Sequence, residues 1–311
     1  MRRRMMVVLG IGLVLTLALG VTASQGEWKM RVHEGAGVTE FTVSSIDSLT
    51  FYDAGVPGFV AVLAGVFTMG SPAGELCRDS DETQHEVTLT RGFYVSTTEV
   101  TQAEWQATMG WDDSYFDGAD RPVETITWFD AVQYCNERSA DEGLAAAYTI
   151  TGATYDGHHI TGGTVTWNQD ANGYRLLTEA EWEYACRAGS ASAFCNGGIS
   201  QCYCGSEPNL GLVGWYCGNS SNQTHDVAQK APNAWGLYDM HGNVWEWCWD
   251  WYASYGGSAT DPVGPGSGSA RVDRGGSWDD IARYCRSAYR GYYTPSHRDY
   301  YIGLRLARTA F

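Results

Sequence analysis

The chain has 311 residues, 44% of them hydrophobic and only 18% charged, which excludes a disordered polypeptide and leaves one large or two modest domains with enough apolar surface for a core. Its 38 Gly, 13 Trp and 19 Tyr suit an irregular, β-rich fold whose long loops are held by large side chains, and argue against a long helical bundle. Lys plus Arg number 20 against 36 Asp plus Glu, a net charge of −16, so the chain lacks the positive field that nonspecific nucleic-acid binding needs, and no nucleic acid is expected as a partner.

Residues 1–23 read as a secretory signal: Arg2, Arg3 and Arg4, an apolar run over 5–21, and a small-residue exit at Val21-Thr22-Ala23 with cleavage after Ala23. The mature chain would be secreted, periplasmic or at the cell surface, without membrane insertion after cleavage. A signal anchor is the alternative, since the apolar run approaches the roughly 20 residues that span a bilayer. All 9 cysteines lie beyond this leader. In an exported protein they can oxidise, and the odd count leaves at least one unpaired.

A small N-terminal β segment is expected over 24–55. Met30 and Val32 alternate up to a turn at Glu34-Gly35-Ala36-Gly37, and Phe41 and Val43 alternate after it, with a further short strand to Phe51. The interruption "DAGVPG" (53–58) marks a boundary, and the second domain is read as 56–311. "FVAVLAGVFTMGS" (59–71) reads as a buried strand pair around Gly65, and 85–101 is another alternating run. Thr101 with Glu104, Thr127 with Asp130, and Thr178 with Glu181 place an N-cap hydroxyl three residues before an acid. Each predicts a helix of roughly 10 to 14 residues. From 189 to 276 periodicity fades, which predicts long structured loops with short strands, of the kind that are functional or metal-supported. Within them Cys195, Cys202, Cys204 and Cys217 could bind zinc, but the exported context favours disulfides, with three pairings open.

Two stretches carry candidate chemistry. In "YDMHGNVWEW" (238–247), Asp239 and Glu246 flank a tight Gly242-Asn243 segment, and their hard oxygens with the carbonyls of Gly242 and Val244 suit calcium. A loop acid capped by backbone amides is the alternative. The run 278–301, "WDDIARYCRSAYRGYYTPSHRDYY", holds six Tyr and three Asp in 24 residues. Tyr supplies large, stiff, amphipathic contact area, while Ser, Gly and Asp supply adaptable polar contacts, as in evolved binding surfaces.

Five separated blocks carry a resemblance: "FTMGS" (67–71), "VSTTEVTQAEW" (95–105), "YRLLTEAEWEYACRAG" (174–189), "NAWGLYDMHGNVWEWCWDWY" (233–252) and "RVDRGGSW" (271–278), the last followed by "CRSAYR" and "IGLRLA". Over 59–309 the chain resembles the formylglycine-generating enzyme, or sulfatase-modifying factor, family. The resemblance implies an α+β, irregular, loop-rich C-type-lectin-like fold with few short helices and short antiparallel strands. Family oxidases hold copper(I) between two cysteines five residues apart and convert a cysteine of a partner sulfatase to formylglycine with dioxygen. Carried over, the second cysteine is Cys285 and the active-site serine is Ser277, but Asp280 stands where the first cysteine would be. Copper(I) prefers soft thiolates and a carboxylate is hard, so copper is not expected, and Cys285 reads as a buried or disulfide-bonded structural cysteine. The resemblance also implies calcium at Asp239, Gly242, Val244 and Glu246, with Asp239 in place of the family's Asn, and a looser second calcium site using Asn209 and Asn219. Cys186 matches a family cysteine whose usual partner position is Leu306, so that bridge is not expected.

Many noncatalytic relatives carry Asn where this chain has Asp279, Asp280, Ile281, Tyr284, Tyr289, Gly291, Tyr293, His297, Asp299, Tyr300 and Tyr301. These replacements are reachable from an AAC codon by changing adenines alone. The pattern resembles the variable proteins of diversity-generating retroelements; drift in an aromatic-rich surface is the alternative. The sequence therefore points to an exported, calcium-stabilised domain that binds a protein or glycan without oxidase chemistry. The expected contact residues are Trp278, Asp279, Asp280, Tyr284, Tyr289, Tyr292, Tyr293, His297, Asp299, Tyr300 and Tyr301. A copper-dependent oxidase and a purely structural surface protein are the alternatives.

Overall fold

The structure, a computed structural model, describes residues 56–310 together with the backbone of five earlier strands. The chain forms two compact units, Met1–Pro57 and Gly58–Phe311. In the first, β1 (Val7–Leu9) pairs in parallel with β5 (Phe51–Asp53), and β2 (Thr22–Ser24), β3 (Glu27–Glu34) and β4 (Gly37–Val43) form an antiparallel sheet. The β3–β4 register runs from Trp28 opposite Val43 to Glu34 opposite Gly37, so the expected hairpin forms at the expected turn. Apart from the backbone of β1 and the start of β2, the expected leader lies outside the described residues.

The second unit is α+β with short elements. Its strands are β6 (Phe59–Val62), β7 (Gly65–Met69), β8 (His85–Leu89), β9 (Phe93–Ser96), β10 (Tyr148–Asp156), β11 (His159–Trp167), β12 (Tyr174–Arg175), β13 (Trp245–Trp251), β14 (Ala259–Thr260), β15 (Arg271–Arg274), β16 (Gly291–Tyr293), β17 (Ile302–Gly303) and β18 (Ala307–Thr309). Three sheets have the orders β12-β18-β9-β6, β16-β15-β13-β17 and β14-β8-β7, and β10 pairs with β11. The segment 59–71 is therefore not a strand pair: β6 pairs with β9 and β7 with β8. Between them the chain crosses from one sheet to another through Leu63, which is 78% exposed. Alternation marks a strand and its inward face but does not choose its partner.

Helices α1 (Gln102–Met109), α2 (Trp128–Asp141) and α3 (Glu179–Arg187) start at the three expected threonines, and all three caps are reciprocal boxes. Each cap is worth about 1 kcal/mol. α1 and α3, at 8 and 9 residues, are shorter than expected, because left-handed residues end them: Gly110 at φ 77° and Ala188 at φ 43°. Asp130 does more than cap α2, since it also accepts from Ile160 N at 2.7 Å and pairs with His159 Nδ1 at 2.8 Å.

The core is aromatic, with Trp105 stacked on Tyr134 and Tyr148 on Trp249. Arg274, Arg286 and Arg305 are fully buried, and each is matched by a carboxylate: Glu183, Glu82 with Glu75, and Glu246. From 188 to 244 the only helix among the described residues is α4 (Pro208–Val213). Here disulfides replace secondary structure: Cys77–Cys202 and Cys204–Cys217. Three of the four clustered cysteines are thus oxidised, which removes the zinc alternative. Cys195 is a free thiol, and Cys202 finds its partner 125 residues away. Cys135, Cys186, Cys248 and Cys285 are also free, all four of them buried. No helix among the described residues is long and apolar enough to cross a membrane.

Candidate functional site

β15 is followed by Gly275 and Gly276, at φ 102° and 72°. A Cβ on Gly276 would lie 2.7 Å from Cys285 Sγ, so glycine is what lets the following turn fold back against Cys285. Within that turn Ser277 Oγ donates to Asp280 Oδ2 at 2.6 Å. Trp278 is buried, and its Nε1 donates to Tyr300 O at 3.1 Å. Disulfide-tethered loops brace the turn from outside, with Ala282 N and Arg283 N donating to Tyr203 O and Cys202 O.

The β15–β16 register then sorts the rings. Asp273 sits opposite Gly291 and Arg271 opposite Tyr293, so Gly291 and Tyr293 share one face, while Tyr292, 53% exposed, points to the other. There Tyr292 stacks on Tyr252 at 4.1 Å. Tyr292 therefore does not belong with the other expected contact residues. On the first side Tyr284 lies 4.6 Å from Tyr289, and Tyr289 lies 6.0 Å from Trp245. Tyr293 stacks on His297 at 4.0 Å, and Tyr301 Oη bonds Tyr293 Oη and His297 Nε2, both at 3.2 Å. Asp299 receives Tyr300 N, and Asp279 is exposed. Burial raises the phenols of Tyr289, Tyr293 and Tyr301 and lowers His297, so the face presents neutral rings and hydroxyls.

The sequence reading missed one extension of this face. Tyr115, 70% exposed, lies 5.5 Å from Tyr300, and Phe116 packs edge-on against Trp278 at 5.2 Å. Glu124 holds their loop by accepting from Phe116 N at 2.8 Å. The aromatic, acidic run "WDDSYFD" (111–117) was the available signal.

The two positions expected to hold copper(I) do not make the thiolate pair that it prefers. Only one of them is a thiol, Cys285, which is buried, and burial, with Asp280 adding to it, pushes its pKa well above that of a free thiol, while the other is Asp280, a carboxylate already bonded to Ser277.

The expected calcium segment is more complex than a bare acid pair. Glu246 accepts from Arg305 Nε at 2.9 and 3.0 Å and from Trp182 Nε1 at 2.6 Å. Asp239 Oδ2 accepts from Ala228 N at 2.7 Å, but among the described residues its buried Oδ1 has no hydrogen-bond partner, and neither has either carboxyl oxygen of buried Glu99. Burial raises Glu99 strongly, with Asp239 next among the causes, and lifts Asp239 to about 6. Three buried acids thus face one guanidinium, and the orphaned Asp239 oxygen fits a hard cation. No three His, Cys, Asp or Glu side chains among the described residues form a metal-holding group, so such an ion would draw on the Gly242 and Val244 carbonyls. At the looser site, the Asn219 side chain bonds Tyr216 N and Gly214 O, and Asn209 Nδ2 bonds Gly198 O. These amides staple their own loop.

The loop-rich α+β unit with few short helices and short strands is the C-type-lectin-like architecture that the resemblance implies. Residues 50–310 match the model of the "Sulfatase-modifying factor enzyme 1-like domain", and the chain belongs to that family. It is 38% identical to "Chaperone protein LppX" of Paenibacillus barcinonensis over 74% of this chain and 84% of that one. It is 33% identical to "Formylglycine-generating enzyme" of Streptomyces coelicolor over 81% and 90%. Among solved structures, "Treponema denticola variable protein 1" superposes with a TM-score of 0.72 at 32% identity, covering 91% of this chain and 99% of that one. The domain is thus shared by proteins named as formylglycine-generating enzymes and by others named as a chaperone and a variable protein.

Proposed function

We propose that this protein is an exported binding module that presents the 278–301 face to a protein or glycan ligand and performs no formylglycine-generating oxidation. The observation that carries this reading is Asp280: it occupies the expected thiolate position, bonds Ser277, and lies beneath a face of rings and short polar groups. The resemblance to a chaperone and a variable protein supports it, and the two disulfides support export. Calcium held by Asp239 and neighbouring carbonyls would offset the buried negative charge beside Arg305 and stiffen the loop before β13. The composition of 278–301 supports diversification by a retroelement, and a near-identical template repeat beside a reverse transcriptase gene is expected; its absence removes that part of the proposal.

The test is direct. The purified chain is titrated with copper(I) and incubated with a Cys-x-Pro-x-Arg peptide in air, with mass spectrometry as the readout. Neither stoichiometric copper binding nor peptide conversion is expected. Conversion of the peptide would overturn the reading in favour of the oxidase alternative.

A further inference from the structure

One buried arginine has no acid. Arg175, Arg187, Arg274, Arg286, Arg290 and Arg305 each pair with a glutamate. Arg271, at the start of β15, is 4% exposed, yet among the described residues no carboxylate pairs with it. Its Nη1 donates to Trp249 O, its enclosed Nε has no partner, and its Nη2 makes no hydrogen bond within the described residues. Asp250, whose charge it feels, is occupied by Glu179 N at 2.8 Å, and burial with the charge of Glu179 lifts that acid to about 8, leaving it mostly neutral at pH 7. What surrounds the guanidinium instead is indole: its carbon lies 3.6 Å from the Trp251 ring centroid, 3.8 Å from that of Trp128 and 4.9 Å from that of Trp249. Ring faces attract a cation, but they offset only part of the cost of removing it from water, and they leave its spare N–H groups without a true acceptor.

The Nη2 side is not sealed. Arg271, Trp128 and Trp251 line a cavity of about 220 Å³ whose mouth is the exposed pair Gly163-Thr164 of β11 and the exposed pair Gly266-Ser267 of the loop before β15. A cavity of roughly 150 Å³ admits benzene, so this one has room for a ring carrying a small charged group. Its walls are apolar apart from the guanidinium inside and the Thr164 and Ser267 hydroxyls at the mouth. One cation with one open nitrogen matches a single negative charge, and indole, phenyl and valine walls suit an apolar stem. A phosphate or sulfate dianion would leave charge unmatched against those walls.

We propose that this cavity is a carboxylate-binding site, in which Arg271 Nη2 donates to a monoanionic carboxylate on an apolar stem, with Thr164 and Ser267 at its entrance. The carboxylate would come from the C-terminus of a peptide or from a free aromatic or aliphatic acid. No residue of the 278–301 face lines the cavity, so the site stands or falls independently of the binding-face reading.

The full chain is tested by calorimetry against benzoate, neutral benzamide, acetyl-Ala-Phe as its free acid and as its C-terminal amide, and inorganic phosphate. At least one of the two carboxylates is expected to bind on the order of tenfold more tightly than its amide. Preference for the peptide acid assigns a C-terminus, and preference for benzoate assigns a free acid. Arg271→Met, close in bulk and uncharged, should abolish the preference for carboxylate over amide. Ser267→Trp, at the exposed mouth, should weaken the preferred carboxylate on the order of tenfold without altering the interior, and it decides the matter if the melting curve shows Arg271→Met unfolded. Equal binding of acids and amides, no carboxylate binding at millimolar concentration, tighter binding of phosphate than of either carboxylate, or unchanged carboxylate binding in the folded variants overturns the site.

Discussion

Arg286 ties the 278–301 segment to Glu75 and Glu82, and replacing it with Met, close to it in bulk and neutral, gives a sharp prediction. Its guanidinium is fully buried and donates to both oxygens of Glu82 and to Glu75 Oε1, while its Nε holds Arg283 O at 3.0 Å. Removing it strands the buried Glu82 charge, a loss of about 3–5 kcal/mol for a broken buried pair. The pH dependence identifies the cause. In the native chain burial works to raise Glu82, but the Arg286 bonds and charge override it and hold the carboxyl below its ordinary value. A depressed carboxyl contributes stability above its unfolded pKa and loses it as pH falls. In Arg286→Met only the hydrogen bonds from Ser71 Oγ and Asp79 N still oppose burial, the largest influence on this carboxyl, so Glu82 rises instead, its contribution changes sign and acid relieves the strain. Urea unfolding followed by Trp fluorescence at about pH 7.5 and about pH 5 should therefore show the deficit shrinking at the lower pH. Adding Glu82→Gln should restore much of the loss at the higher pH. A deficit below about 1 kcal/mol, or one that does not change with pH, would refute the reasoning.

The two disulfides close loops of very different length, 125 and 13 residues apart in sequence. Loop-closure entropy then predicts a loss of about 5 kcal/mol for Cys77→Ser with Cys202→Ser against about 3 for Cys204→Ser with Cys217→Ser; equal losses in urea would count against that account. Glu124 is buried and lifted to about 7 by that burial. Because its folded pKa lies above the unfolded value, it costs stability progressively as pH rises from about 4.5 to about 7, by roughly 3 kcal/mol. Glu124→Gln should flatten that part of the stability profile, and an unchanged profile would show that the carboxyl does not titrate as described. Calcium should raise the melting temperature and chelation lower it, with the response lost in Asp239→Ala; an identical melting temperature with and without chelator would remove the ion from the proposal.

What the sequence disclosed was mostly local. The three caps depend on residues three apart, and the hairpin over 27–43 on a turn and its flanking alternation, so both were readable. Asp280 was readable because adjoining blocks fixed its position. Long-range choices were not readable. Nothing near Cys202 points to Cys77, and nothing near Arg286 points to Glu82, 204 residues away. Tyr292 was grouped with its neighbours because composition ignores strand register, which turns it to the other side. The pairing of Glu246, an expected calcium ligand, with Arg305 was not readable, because the two lie 59 residues apart.

The central claim is that ligands meet this chain at the 278–301 face. The most direct measurement selects binders to the wild-type chain from a random displayed-peptide library and a glycan array, then compares their affinities for Tyr301→Ala, Asp280→Asn and Tyr155→Ala. Tyr155 is exposed on β10 and lies outside the face. The account predicts that both face substitutions weaken the selected binders by on the order of tenfold or more, while Tyr155→Ala leaves them unchanged. Failure to obtain any binder, or equal losses for Tyr155→Ala and the face substitutions, would contradict it.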